Sequence, residues 1–218
     1  MCADIDADAA GASAAAINDA GGRARAVACD VTSPASAAAA VGGTVDAFGA
    51  LHVLANIAGV GAMASTRTLA LDDWNRTITI NLTGTFLMCQ AALDPLLAGG
   101  DGAIVNMASV AGLRATPYNA AYCASKGGVV MLTKSLAVEF GRQGLRVNCV
   151  CPSMVDTGFL DAMTIPDDAD FTLFTRAGAI IQRKSDPAEI AGVIAFLASP
   201  EAAMITGAAY VVDGGATA

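Results

Sequence analysis

The chain has 218 residues, of which 55% are hydrophobic and 15% charged, and its net charge is −8 with a pI near 4.4. A chain of this length can form one domain with a sizeable core, and we predict a single domain over residues 1–218. The acidic balance argues against a nucleic acid partner, because such affinity depends on Lys and Arg contacts to phosphate. No apolar run is long enough to span a membrane, and the acidic start Met1–Asp6 lacks the basic segment of a signal peptide.

Predicted strands and helices alternate along the chain, which indicates an α/β fold whose parallel sheet has helices on both faces. Strands are expected over 26–30, 51–55, 103–108, 146–151 and 208–212. Helices are expected over 7–20, from a cap at Thr32 or Ser33 with Pro34 in the first turn, over 71–97, over 118–142, and from Pro187 to about Ala198. Residues 153–185 have no regular period.

The cysteines and the single histidine give little support for a metal site. The cysteines are Cys2, Cys29, Cys89, Cys123, Cys149 and Cys151, with no C-x-x-C spacing among them. We interpret them as reduced thiols of a cytoplasmic protein and predict no metal. Cys149 and Cys151 share one face of a predicted strand and are expected in the core. A Ser-His-Asp hydrolase would have to use His52, which a predicted strand carries and which we interpret as structural.

The most informative motif is Tyr122 followed four residues later by Lys126 in the predicted helix 118–142. Residues with this spacing share a helix face. A phenol with a pKa of about 10 is a poor base near neutrality, but a nearby ammonium lowers that pKa, so the tyrosine can exchange a proton with an alcohol or carbonyl. Ser109 ends a predicted strand and could bind the same oxygen. A chance Tyr/Lys pair is the alternative; with Asn81 upstream, the four residues in order favour catalysis.

In these motifs the chain resembles the short-chain dehydrogenase/reductase family over its whole length. The matching segments are Cys29–Thr32, Asn56–Gly59, Ile80–Phe86, Ser109 with Tyr122 and Lys126, Arg146–Pro152 and Val211–Gly215. The resemblance implies a Rossmann-like doubly wound parallel sheet and a catalytic tetrad of Asn81, Ser109, Tyr122 and Lys126. Tyr122 would be the acid/base and Ser109 would hold the substrate oxygen. Lys126 would lower the tyrosine pKa and bind the nicotinamide ribose, and Asn81 would hold a water that relays the proton.

The glycine-rich nucleotide-binding turn of such folds is not found in its usual place. Neither G-x-x-x-G-x-G nor G-x-G-x-x-G occurs between a predicted strand and a helix. The resemblance makes residues 1–6 the end of the second strand, so we expect the first strand–helix unit to be missing. Its loss should expose strand edges and apolar helix faces. A mis-assigned start codon and a genuinely truncated protein are the two explanations.

Asp4 favours NAD over NADP. An acid at the family's corresponding position accepts hydrogen bonds from the ribose hydroxyls and repels a 2′-phosphate. The alternative role for an acid here is to cap helix 7–20, which Asp6 or Asp8 could do. The resemblance also implies the remaining cofactor contacts, which are Asp30 at the adenine amino group, Val31 on its ring, Asn56, Ala58 and Gly59 along the cofactor, Pro152, Val155 and Thr157 towards the nicotinamide, and Tyr122 with Lys126. Ile57 and Ser153 depart from the family pattern.

Residues 158–185 are expected to form a substrate lid within the domain. Its apolar members are Phe159, Leu160, Met163, Phe171, Leu173 and Phe174, which suggests a hydrophobic secondary alcohol or ketone. The alternative is that these side chains only pack the lid onto the domain. Further substrate contacts are expected from Val110, Gly112, Ala115 and Tyr118.

Three functional hypotheses follow. The first is an NAD-dependent dehydrogenase of secondary alcohols or reductase of ketones. The second is an NADPH-dependent 3-oxoacyl-thioester reductase, against which Asp4 counts. The third is a cofactor-free remnant that serves as a binding or assembly partner. The resemblance implies a homo-oligomer, a tetramer or dimer, formed through helices 71–97 and 118–142 and the last strand.

Overall fold

A computed structural model of the chain describes residues 1–159, 163, 165–174 and 180–218. The described strands are β1 (Cys2–Asp4), β2 (Ala26–Ala28), β3 (Val53–Asn56), β4 (Ala103–Met107), β5 (Arg146–Pro152) and β6 (Ala209–Val212). The described α-helices are α1 (Ala7–Asp19), α2 (Pro34–Phe48), α3 (Leu71–Ile78), α4 (Gly84–Gly99), α5 (Ala120–Phe140) and α6 (Pro187–Ala198). The predicted strands and helices are thus confirmed, except that the single helix predicted over 71–97 is divided.

The strands form an α/β, Rossmann-like arrangement in which every pairing is parallel, as the alternation of elements predicts. They lie in two sheets, β1–β2 and β3-β4-β5-β6. Within the described part of the chain no strand pairs between β1 and β3, so the parallel sheet is divided at that point. The chain nevertheless opens with a strand and a helix, so the prediction that the first strand–helix unit is missing is not confirmed.

The larger sheet positions the chemistry. β4 and β5 are buried along almost their whole length, and their register aligns Met107 with Val150. Because neighbouring parallel strands point the same way, the segments that follow β4 and β5 leave the sheet at one edge. Ser109 follows β4 there, and Pro152 ends β5. The long helix α5 packs against β5 and brings its own buried face to the same edge.

The division of the predicted helix 71–97 is itself a feature of the site. A π-helical turn over Thr79–Thr83 separates α3 from α4, and Asn81 lies inside that turn with its side chain fully buried. Single π-helical turns inside helices occur often at functional sites, because the wider turn re-aims a side chain. Hydropathy periodicity cannot distinguish this turn from continuous α-helix.

Local signals elsewhere agree with the sequence. Asp6, not Asp8, caps α1, and Ser33 caps α2 by accepting from Ser36 N. The six cysteines are free, and Cys149 and Cys151 lie fully buried among Ala108, Val129 and Val130, which confirms their predicted place in the core.

Among the residues described, no helix is long and apolar enough to cross a membrane. Within the same residues, no cluster of three His, Cys, Asp or Glu side chains could bind a metal ion.

Candidate active site

Three separate elements bring the four predicted catalytic residues into the buried interior. Asn81 comes from the π-helical turn, Ser109 follows β4, and Tyr122 and Lys126 lie one turn apart on α5. Their exposed fractions are 0%, 8%, 9% and 3%, respectively. Buried polar side chains cost free energy unless they are hydrogen-bonded. The partners of these four groups therefore define what the site can do.

Tyr122 is linked to Ser109. Burial raises the pKa of Tyr122 above its ordinary value, and the hydrogen bond with Ser109 offsets part of that rise. Ser109 Oγ also accepts from Ala111 N at 3.1 Å and lies 3.5 Å from the carbonyl oxygen of Pro152. Ser109 is the N-cap of a short 3₁₀ helix, Val110–Gly112, and this cap fixes the position of its hydroxyl. The hydroxyls of Tyr122 and Ser109 can both hydrogen-bond one substrate oxygen, so the tyrosine can exchange a proton with that oxygen while the serine holds it.

Lys126 points towards the sheet. Its Nζ donates to the carbonyl oxygen of Met107 at 2.7 Å and lies 5.7 Å from the centre of the Tyr122 ring. Burial lowers the pKa of Lys126 to about 8, although the nearby thiols of Cys151 and Cys149 act in the opposite direction. The sequence predicts a lowered pKa for Tyr122, whereas the structure gives a raised one, because burial of the phenol outweighs the influences that favour the phenolate.

Asn81 is bound on both ends of its amide. Its Oδ1 accepts from Val60 N at 2.8 Å, and its Nδ2 donates to Val60 O at 2.8 Å and to Ser125 Oγ at 3.1 Å. Ser125 Oγ in turn donates to the carbonyl oxygen of Tyr122 at 2.8 Å. Sequence reasoning missed Ser125, although its place three residues after Tyr122 and directly before Lys126 puts it on the same helix face.

Six of the predicted cofactor residues line one cavity between the two sheets. Its volume is about 900 Å³, and they are Asp4, Asp30, Val31, Asn56, Ala58 and Gly59. The volume lies within the range of small-molecule and cofactor sites. A Cβ on Gly59 would lie 3.1 Å from Asn81 Oδ1 and 3.5 Å from Lys126 Nζ, so the backbone at Gly59 passes close to the catalytic residues. The cavity thus extends from Asp4 at the end of β1 to Gly59, which lies beside Lys126.

The two acids of that cavity differ in their surroundings. Asp4 is exposed at the end of β1, and its Oδ1 accepts from the backbone N–H of Asp6 at 3.0 Å. Asp30 accepts from both the hydroxyl and the backbone N–H of Thr32, and these bonds lower the pKa of its carboxyl. Both groups are therefore acceptors, and Asp30 is the more rigidly oriented.

The predicted contacts at the nicotinamide end lie outside this cavity. Pro152 is buried at the end of β5, beside Ser109. Val155 forms an isolated parallel bridge with Ser185 and packs against the cluster that contains Val150 and Ile190. Thr157 is exposed. The structure brings Pro152 to the catalytic residues and leaves the other two on the approach to the lid.

The first part of the predicted lid covers Tyr122. The rings of Phe159 and Tyr122 have their centres 6.0 Å apart. A Cβ on Gly61 would lie 2.7 Å from Phe159 and 2.9 Å from the sulfur of Met163, so the lid contacts the opposite wall through a glycine. Phe171 and Leu173 are more than half exposed, and Phe174 stacks on Tyr118. Leu160 lies outside the described residues.

Known proteins resemble this chain in sequence over most of its length. Residues 1–217 match the family model described as "Enoyl-(Acyl carrier protein) reductase". The chain is 44% identical to "Inactive 2-(S)-hydroxypropyl-CoM dehydrogenase 2" of Xanthobacter autotrophicus, over 98% of this chain and 94% of that protein. It is 45% identical to D-threitol dehydrogenase of Mycolicibacterium smegmatis, over 98% and 81%. It is 42% identical to 3-alpha-(or 20-beta)-hydroxysteroid dehydrogenase of Mycobacterium bovis, over 89% and 72%.

Among solved structures, a putative short-chain dehydrogenase/reductase from Burkholderia xenovorans superposes with a TM-score of 0.87 at 31% identity. The match covers 99% of this chain and 83% of that one. The sequence matches, the structural match and the buried Asn-Ser-Tyr-Lys arrangement therefore all point to the same family.

Proposed function

We propose that this chain, which belongs to the short-chain dehydrogenase/reductase family, transfers hydride between NAD(H) and a secondary alcohol or ketone, with Tyr122 as the acid/base. The family and its named dehydrogenases make the chain an oxidoreductase that acts on CH–OH donors. One observation carries the finer proposal. Asn81, Ser109, Tyr122 and Lys126 are buried together beside a cavity that six predicted cofactor residues line.

The proposed chemistry divides among these side chains. Tyr122 takes the hydroxyl proton of the alcohol, or returns one to a carbonyl oxygen, and Ser109 holds that oxygen through its hydrogen bond. Lys126 is mainly protonated at neutral pH because its pKa is about 8, and its charge favours the phenolate form of Tyr122. Asn81 fixes the start of α4 relative to α5 through Val60 and Ser125. A bound nicotinamide supplies or accepts the hydride.

The family uses NAD(P), and we propose NAD as the preferred form. Asp4, Asp30, Val31, Asn56, Ala58 and Gly59 would hold the cofactor, with Pro152, Val155 and Thr157 towards the nicotinamide end. The carboxylate of Asp4 supports this preference, because an acid in the cavity binds ribose hydroxyls and repels a 2′-phosphate.

The proposed substrate is a small, hydrophobic secondary alcohol or ketone. Phe159 and Met163 in the lid over residues 158–185 support this, because they place apolar surface above Tyr122. The named relatives span a polyol and a hydroxysteroid, so a panel should contain both classes. We also propose a cytoplasmic homo-oligomer, a tetramer or dimer; the exposed Met131 and Val138 on α5 support an interface there.

A second candidate function is that of a binding or assembly partner without catalysis. The observation that favours it is the relative named as inactive, to which this chain is 44% identical over 94% of that protein's length. The other alternative, an NADPH-dependent 3-oxoacyl-thioester reductase, gains no support from the named relatives.

The test is NADH binding by fluorescence, with NADPH alongside, followed by turnover of the alcohol panel with NAD⁺. The wild-type chain is expected to bind NADH and to oxidise at least one secondary alcohol. Tyr122→Phe keeps the ring but should lower kcat by roughly 10²- to 10⁴-fold, the usual contribution of a general acid/base.

Tyr210→Phe on β6 removes the same atom from a side chain that is 40% exposed and does not line the cavity, so it should leave kcat unchanged. A folded chain that binds neither cofactor would refute the dehydrogenase and favour the non-catalytic partner. Undiminished activity of Tyr122→Phe would refute the assigned role of the tyrosine.

A further inference from the structure

Tyr118 has an unusual backbone conformation. Its φ is 58°, and it is the one non-glycine residue of the described ranges with a positive φ. The left-handed region is uncommon for a bulky aromatic residue, and such conformations persist where surrounding contacts hold them, often at functional sites. Tyr118 lies two residues before α5 and four before Tyr122. Its contacts explain why the conformation is kept.

The main chain of Tyr118 binds one wall of the site. Its carbonyl oxygen accepts from Ala64 N at 2.8 Å. Ala64 belongs to the segment that follows β3, which also contains Gly59 beside Lys126 and Gly61 beside Phe159. The left-handed turn directs this carbonyl to that wall while the side chain leaves in another direction.

The side chain of Tyr118 binds the opposite wall, the lid. Its hydroxyl oxygen accepts from Asp170 N at 2.8 Å, and its ring stacks on Phe174 with centres 6.0 Å apart and planes 19° from parallel. Asp170 directly precedes the 3₁₀ helix Phe171–Phe174, and Phe174 is the last residue of that helix, where it also contacts Phe171. Both ends of this short segment are therefore attached to one residue.

We propose that Tyr118 is a positioning residue that anchors the lid segment 170–174 to the wall formed by residues 59–64, and that this anchor sets the affinity for apolar substrates. The proposal rests on the proposed function. The hydroxyl oxygen accepts from Asp170 N, so Tyr118 acts on the site through the lid. The reacting groups on α5 and after β4 are untouched by it.

Tyr118→Phe is the sharpest variant, because it removes only the hydroxyl and keeps the ring on Phe174. We expect KM for a hydrophobic secondary alcohol to rise roughly fivefold, the factor that the loss of one neutral hydrogen bond implies, with kcat nearly unchanged. Tyr210→Phe is the matched control and should change neither constant. Tyr118→Asn removes the ring while tolerating the left-handed backbone, and it should raise KM further.

Limited digestion with chymotrypsin tests the anchor without any reference to catalysis. Cleavage at Phe171 and Phe174, mapped by mass spectrometry, should be faster in Tyr118→Phe and faster still in Tyr118→Asn, while the Tm stays close to that of the wild type. Faster cleavage in a chain that has no dehydrogenase activity would support the anchor and refute the proposed function. Unchanged cleavage and unchanged KM in both variants would overturn the anchor, even in an active enzyme.

Discussion

The two sheets differ sharply in how firmly they hold the residues assigned to function. β4 and β5 are almost fully buried, whereas β1 and β2 contain no buried residue. Asn81, Ser125 and Lys126 are held by buried hydrogen bonds to elements distant in sequence. The side chain of Asp4, at the end of β1, accepts from Asp6 N, two residues away along the chain.

The two regions should therefore respond differently to substitution. A buried polar group is coupled to stability as well as to chemistry, because removal of one partner leaves another unsatisfied. An exposed acid at a cavity edge is coupled mainly to what binds there. The catalytic half of the molecule is the larger sheet β3–β6 with α5, and the nucleotide half is β1 and β2 with the cavity beside them. Substitutions in the catalytic half should therefore change folding and turnover together. Substitutions in the nucleotide half should change cofactor choice alone.

Lys126→Met should produce the largest change in stability, and that change should depend on pH. Burial lowers the pKa of Lys126 to about 8, so between pH 8 and its ordinary value of 10.5 the unfolded chain binds more protons than the folded one. The stability of the wild type should therefore rise with pH across this window, by up to about 3 kcal/mol relative to the variant. Below pH 8 the cost of burying the charge is fully present.

Denaturant unfolding of both proteins at pH 7, 8, 9 and 10.5 measures this difference. A constant difference between the wild type and Lys126→Met would mean that the folded pKa of Lys126 is not depressed.

Ser125→Ala should give an intermediate effect. The change removes the acceptor of Asn81 Nδ2 and the donor to the carbonyl of Tyr122, at a cost of about 1–2 kcal/mol in unfolding free energy. We expect kcat to fall roughly tenfold, because Asn81 and α5 lose their direct link. Ser13→Ala, at an exposed position on α1, should leave kcat and stability unchanged. Normal kcat in Ser125→Ala would restrict Ser125 to a structural role.

In the catalytic half, the sequence predicted the main residues but not the details of their surroundings. Tyr122 and Lys126 share a helix face by spacing alone, and caps at Ser33 and Asp6 follow from local chemistry. The π-helical turn at Asn81 and the bond from Lys126 to Met107 depend on long-range packing, which periodicity does not encode. The net rise in the pKa of Tyr122 depends on burial in the same way.

The nucleotide half shows the opposite pattern. Its elements were predicted from alternation and helix caps, whereas the point at which the sheet divides depends on non-local strand pairing, which no local signal encodes. The role of Asp4 comes from a resemblance and has no buried network to support it. Its assignment therefore depends most on experiment.

Asp4→Asn should give the smallest effect and the one confined to cofactor choice. Loss of the charge removes repulsion of a 2′-phosphate and weakens acceptance from ribose hydroxyls, so the ratio of NADPH to NADH affinity should rise about tenfold, the scale of one charged hydrogen bond. Because the side chain of Asp4 is exposed and accepts from the nearby Asp6 N, the Tm of Asp4→Asn should stay near that of the wild type. Asp19→Asn, at the end of α1 and outside the cavity lining, is the control. Fluorescence titration with both cofactors measures the ratio. An unchanged ratio would remove Asp4 as the selector, whereas a lowered Tm would mean that the nucleotide half is coupled to folding as tightly as the catalytic half.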